Sequence, residues 1–234
     1  MSSSSERRLC KDRRYLQVAL DVVDLDRALR IAREAYDGGV DIIEVGTPLI
    51  KSEGLRAVRV LRENFPDTLI LADMKTMDTG FLEVELAAKA GADIVTVLGV
   101  ADDQTIIEAL KAARKYNIYL EVDLIAHPSP IKRAIEVKKL GADIICLHIG
   151  IDVQRKLKFT IKDMCSLIAL VKRDIGEYIA VAGGINAETV GDIVLAGADI
   201  IVVGSAITKS QNPKEAAAII KNRIREVLEG KVHP

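Results

Sequence analysis

Gly39-Val-Asp-Ile-Ile43 returns three more times in this chain, as Gly91-Ala-Asp-Ile-Val95, Gly141-Ala-Asp-Ile-Ile145 and Gly197-Ala-Asp-Ile-Ile201. Each copy has the same physical reading. The glycine ends a helix in the left-handed conformation, and the small residue and the aspartate form a short link. The β-branched run that follows is a strand buried on both faces, as in parallel sheets. Four further apolar runs fall between the copies: Leu16–Asp21, Leu69–Asp73, Ile118–Asp123 and Tyr178–Ala182. Helical spacing of apolar residues fills the gaps at Leu25–Tyr36, Phe81–Ala90, Ile106–Tyr116, Pro130–Leu140 and Ala187–Leu195. Strands therefore recur roughly every 25 residues, a period that favours closure into an α/β fold of the (β/α)8 TIM barrel type. An open doubly wound sheet would carry a glycine-rich nucleotide loop after its first strand, and Ala19-Leu-Asp-Val22 carries none. The pattern predicts one barrel domain over residues 15–228 after a flexible N-terminal arm over residues 1–14.

Composition narrows the function. Lys+Arg number 33 and Asp+Glu 34, a balance that excludes nucleic acid held by bulk charge. Only 3% of residues are aromatic and Trp is absent, so no platform exists for stacking bases and the core is aliphatic. Cys10, Cys146 and Cys165 lack metal-like spacing and fit a reducing cytoplasm better than a disulfide framework. No apolar run approaches the roughly 20 residues that span a bilayer, so no membrane partner is expected. The Lys/Arg-rich segment over residues 152–162 is predicted to be a mobile active-site loop.

Barrel enzymes carry their chemistry at the C-terminal ends of the strands. Those ends supply Asp21, Glu44, Asp73 with Lys75, Asp123, His148, Gly183-Gly184 and Gly204-Ser205, while the fourth ends in apolar Val97-Leu98-Gly99. A single carboxylate there could merely cap the next helix. A set converging on one mouth cannot be packing material, because buried charge is tolerated only when paired, metal-bound or used for chemistry. Glu44 and Asp73 are candidate ligands for Mg²⁺, which one or two carboxylates usually hold. Lys75 is placed to stabilise an oxyanion, and His148 to move a proton. The glycine loops at Gly183, Gly184 and Gly204-Ser205 are candidates for phosphate binding through backbone amides.

These residues resemble the orotidine 5′-monophosphate decarboxylase superfamily, whose marker is Asp-x-Lys-x-x-Asp at the third strand, here Asp73, Lys75 and Asp78. The likeness runs from about Leu16 to Ile220. Glu44, in Ile43-Glu-Val-Gly-Thr-Pro48, stands where the nucleotide decarboxylase proper has a lysine. Val122-Asp-Leu-Ile125, His148-Ile-Gly-Ile-Asp152, Ala182-Gly-Gly-Ile-Asn186 and Gly204-Ser-Ala-Ile-Thr208 are similar to the 3-hexulose-6-phosphate synthase family. The related 3-keto-L-gulonate-6-phosphate decarboxylases typically carry an arginine three residues after the histidine, where this chain has Ile151; that activity is the alternative. Ser205 stands where some relatives have arginine. The resemblance implies a ribulose-phosphate-binding barrel and an aldolase acting on formaldehyde and D-ribulose 5-phosphate, in either direction. Mg²⁺ would be the cofactor. Asp73, Lys75, Asp78 and His148 would be catalytic, and Asp21 and Asp123 would orient sugar hydroxyls. In that superfamily the last aspartate of the motif reaches a neighbouring subunit, which implies a homodimer with shared active sites.

Overall fold

A computed structural model of the chain describes residues 8–150, 152 and 160–230. Its eight parallel strands close on themselves in sequence order. They are β1 (Tyr15–Leu20), β2 (Ile42–Val45), β3 (Leu69–Thr76), β4 (Ile94–Leu98), β5 (Tyr119–Asp123), β6 (Ile144–His148), β7 (Tyr178–Ala182) and β8 (Ile200–Val203). The helices are α1 (Leu25–Asp37), α2 (Thr47–Glu53), α3 (Arg56–Asn64), α4 (Gly80–Lys89), α5 (Asp103–Tyr116), α6 (Pro130–Leu140), α7 (Ile161–Ile175), α8 (Val190–Leu195), α9 (Ser205–Thr208) and α10 (Pro213–Leu228). The barrel expected from the repeat is present. Most of the expected loop over residues 152–162, and Ile151, lie outside the described residues.

The four glycines of the repeat all have positive φ, between 94° and 109°, as the helix-ending reading requires. The aspartate beside each does more than link. Asp41, Asp93, Asp143 and Asp199 sit at the floor of the barrel, each donating its amide to a carbonyl of the preceding strand, at Leu16, Ile70, Leu120 and Ile179. Each carboxylate then accepts the amide of that same residue, at 2.8–2.9 Å. A buried strand-end N–H without a partner costs about 1–3 kcal/mol, so this return bond closes the ladder where the barrel would otherwise leave it open. Each aspartate is also ion-paired: Asp41 to Arg13 and Lys221, Asp93 to Arg62, Asp143 to Arg114, and Asp199 to Lys172 and Arg14.

Inward-facing residues form layers. The lowest takes one residue from each strand, Tyr15, Ile42, Leu69, Ile94, Tyr119, Ile144, Tyr178 and Ile200, and is apolar apart from the tyrosine hydroxyls. Of the arm expected over residues 1–14, residues 8–14 pack beneath this layer. Leu9 joins the inner cluster, its amide and that of Cys10 donate to the hydroxyls of Tyr119 and Tyr15, and the Arg13 guanidinium lies 5.1 Å from the Tyr15 ring. A second, larger cluster fills the space between the outer face of the barrel and the helices, with Leu16, Val18, Leu20, Ile43 and Ile70 meeting Ala28, Ile31, Leu61 and Ile106. Among the described residues no helix is long and apolar enough to cross a membrane.

Candidate active site

Two residues above the apolar floor the lumen turns polar, with Gln17, Glu44, Thr96, Glu121 and Cys146. One layer higher come Asp73, Asp123 and His148. Together these residues line a cavity of about 580 Å³ at the C-terminal mouth, a volume suited to a small molecule. Asp21, Glu44, Asp73, Lys75, Asp123, His148, Gly183, Gly184, Gly204 and Ser205 all border it. The convergence expected from the strand ends is thus observed. Asp78 is the exception: it is exposed on the loop before α4, outside the cavity, and its carboxylate accepts the Thr79 amide at 2.7 Å.

A backbone irregularity aims the lysine. Ala72 pairs with Val95 and Thr76 with Val97, leaving Asp73, Met74 and Lys75 opposite Thr96 alone. This bulge extends β3 beyond the strand expected over Leu69–Asp73 and puts Lys75 at φ 45°. A non-glycine residue held there costs about 1–3 kcal/mol, a strain that clusters at functional sites. Thr96 stabilises it: its hydroxyl accepts the Lys75 amide at 2.9 Å and donates to Asp73 at 2.8 Å. Thr47, first residue of α2, donates its hydroxyl to the other Asp73 oxygen at 2.6 Å.

The Lys75 ammonium bridges two carboxylates, 2.8 and 3.0 Å from the Asp73 oxygens and 3.0 Å from Asp123. Burial would lower its pKa, but Asp123 and Asp73 outweigh that and raise it, so the ammonium stays charged. The same Asp123 oxygen lies 2.9 Å from His148 Nδ1. Burial pushes Asp123 up, yet His148 and Lys75 hold it down at about 2. With a carboxylate as its partner, Nδ1 carries the imidazole proton and Nε2 is left as the basic atom. Below, Glu121 is pushed up to about 8 by burial and then by Asp123 and Asp73, and its Oε2 has no partner among the described residues.

On the other side three carboxylates crowd one another. Asp21 is raised by burial and then Asp73; Glu44 is raised well above its usual range by burial, then Asp73 and Asp21. Gln17 donates to Glu44 Oε2 at 2.7 Å, and Oε1 has no partner among the described residues. Surplus negative charge, hard oxygen donors and an unclaimed carboxylate oxygen together fit a hard divalent cation at Glu44 and Asp73. Asp123, Cys146 and His148 also bring ligand atoms within 4.8 Å of one another, but a thiol and an imidazole form a softer set than Mg²⁺ prefers.

The strand-end reading missed Thr47, Thr96, Gln17 and Glu121. Thr96 was legible: it stands two residues after Ile94 and so shares its inward face, though the fourth strand ends apolar. Gln17 and Glu121 are polar residues inside apolar runs, a signal of the same kind. Thr47 acts across chain segments, and nothing local marks it.

A parallel eight-stranded barrel whose third strand sets Lys75 between two aspartates has a family counterpart. Residues 14–220 match the Orotidine 5'-phosphate decarboxylase / HUMPS family, and the chain belongs to that family. Within it, the 3-hexulose-6-phosphate synthase of Mycobacterium gastri is 43% identical over 209 residues, which cover 89% of this chain and 99% of that protein. The crystal structure of 3-hexulose-6-phosphate synthase from Salmonella typhimurium is similar with a TM-score of 0.84 at 39% identity, over 91% of this chain and 99% of that one. That of 3-keto-L-gulonate-6-phosphate decarboxylase from Vibrio cholerae is more distant, with a TM-score of 0.77 at 31% identity, over 92% of this chain and 99% of that one.

Proposed function

We infer that this chain is a 3-hexulose-6-phosphate synthase, an aldehyde-lyase that condenses formaldehyde with D-ribulose 5-phosphate to D-arabino-3-hexulose 6-phosphate or runs the reverse. The observation that carries the reading is the relay Asp73–Lys75–Asp123–His148, a permanent cation and an oriented base on one cavity wall. His148 Nε2 takes the proton from C1 of the ketose, next to the carbonyl. As the enediolate forms, the Lys75 ammonium turns one N–H from Asp73 to its oxygen; C1 then attacks formaldehyde, and the proton taken by His148 passes to the new alkoxide. Mg²⁺ held by Glu44 and Asp73 would supply Lewis-acid polarisation of the carbonyl. Asp21 and Asp123 orient hydroxyls of the sugar, and the loops at Gly183-Gly184 and Gly204-Ser205 take the phosphate.

Asp78 is exposed outside its own cavity, and Met77, Leu82 and Leu86 expose apolar surface around the start of α4. Both features support a homodimer in which Asp78 serves the neighbouring site. Three free thiols support a reducing, cytoplasmic setting.

The test is to mix the purified protein with ribulose 5-phosphate, formaldehyde and Mg²⁺ and follow formaldehyde loss. Consumption that stops in EDTA is the expected result. Full activity in chelator would remove the metal, and carbon dioxide released from a keto-sugar acid phosphate without formaldehyde consumption would replace the aldolase by the decarboxylase.

A further inference from the structure

The cavity that must take a phosphate dianion is built mainly of acid. Asp21, Glu44, Asp73, Glu121 and Asp123 line it, against two cations among the described residues, Lys75 and Lys209. Lys75 is fully engaged by Asp73 and Asp123. Lys209 is not: its exposed side chain makes no hydrogen bond or ion pair with any described residue. Its backbone is fixed at the end of α9 by a hydrogen bond from its amide to the Ser205 carbonyl at 3.1 Å. It borders the cavity on the β7–β8 side with Gly183, Gly184 and Gly204, whereas the Lys75–Asp123–His148 relay comes from β3, β5 and β6.

We propose that Lys209 is the cation that pairs with the substrate's phosphate and so sets which end of the sugar meets the relay. A dianion is repelled by the carboxylate side of the mouth and attracted to Lys209, the lining ammonium that has no partner among the described residues. The phosphate is thereby held at the β7–β8 lip, and the carbonyl end is left at Lys75 and His148. Positive φ at Gly183 and Gly184, 123° and 68°, keeps side chains off that lip and lets the phosphate approach the backbone. The same charge separation selects phosphorylated over free ketoses. Lys209 is thus a binding and orienting residue, and its assignment rests on the sugar-phosphate reading above.

Calorimetry on the full chain tests it, with ribulose 5-phosphate and unphosphorylated ribulose as probes. Lys209→Ala is expected to weaken ribulose 5-phosphate binding about 10-fold or more, the scale of one charge-assisted hydrogen bond. Binding of free ribulose stays unchanged, Lys209→Arg restores most of the loss, and kcat/KM falls in step with affinity. Affinity of the wild type falls with added salt more steeply than that of the variant. Equal ribulose 5-phosphate affinity in wild type and Lys209→Ala overturns the Lys209 assignment alone. A wild type that binds no ribulose 5-phosphate overturns the functional reading and this assignment with it.

Discussion

The floor and the mouth of this barrel are both rings of carboxylates, and they are neutralised in opposite ways. At the floor Asp41, Asp93, Asp143 and Asp199 each have a backbone amide and a cation of their own. At the mouth, among the described residues, Asp73 and Asp123 share Lys75, and Asp21 and Glu44 have no ion pair. The difference separates stability from chemistry. Charges matched one to one close a structure, whereas charges left in surplus bind what the protein lacks.

Substitutions at either end can break that division. Lys75→Ala is expected to lower kcat about 10³-fold, roughly 4 kcal/mol of barrier, while unfolding remains cooperative. A variant keeping more than a tenth of the wild-type rate would contradict the role. Asp41→Ala strands Arg13 and the buried Lys221. The loss should be about 3 kcal/mol, or about 6–12 °C in melting temperature, with kcat of the folded enzyme unchanged. A fall in kcat larger than the fall in folded fraction would erase the distinction between the two ends.

Acid tests the mouth from another side. Asp123 is held at about 2 against an ordinary value of 3.8. A carboxylate depressed in the folded state stabilises above its unfolded pKa and loses that contribution as pH falls through the folded one. The stability gap between wild type and Asp123→Asn, followed by urea unfolding, should therefore shrink by about 2 kcal/mol between pH 5 and pH 2. A constant gap would mean that Asp123 is not held down by His148 and Lys75. The smallest effect belongs to Thr96→Val, which removes the hydroxyl that holds the Lys75 backbone and Asp73. A drop in kcat of about 10-fold with KM unchanged is expected for a positioning residue; no change would show that the bulge needs no side-chain support.

The repeat, the alternation of strand and helix and the ionisable strand ends were all legible in the chain, because strand period and helix-ending glycines are local properties. So was the triplet Asp73, Lys75, Asp78. The inward position of Asp73 followed from its strand end, but the outward one of Asp78 did not, since a loop beyond a strand has no fixed period. The repeated aspartates looked like linkers. Their role emerged only when each closed a ladder with the preceding strand and met a cation as distant in sequence as Lys221 is from Asp41.

What the sequence determined by itself is therefore the barrel and the chemical kinds of group at its mouth, since both depend on spacing along one chain. Only the tertiary structure decided how those groups are charged and aimed. The bulge that turns Lys75 inward, the burial that raises Glu121 and the isolation of Lys209 each depend on which strands become neighbours. Electrostatic environment is a property of three-dimensional proximity, and no stretch of sequence contains it.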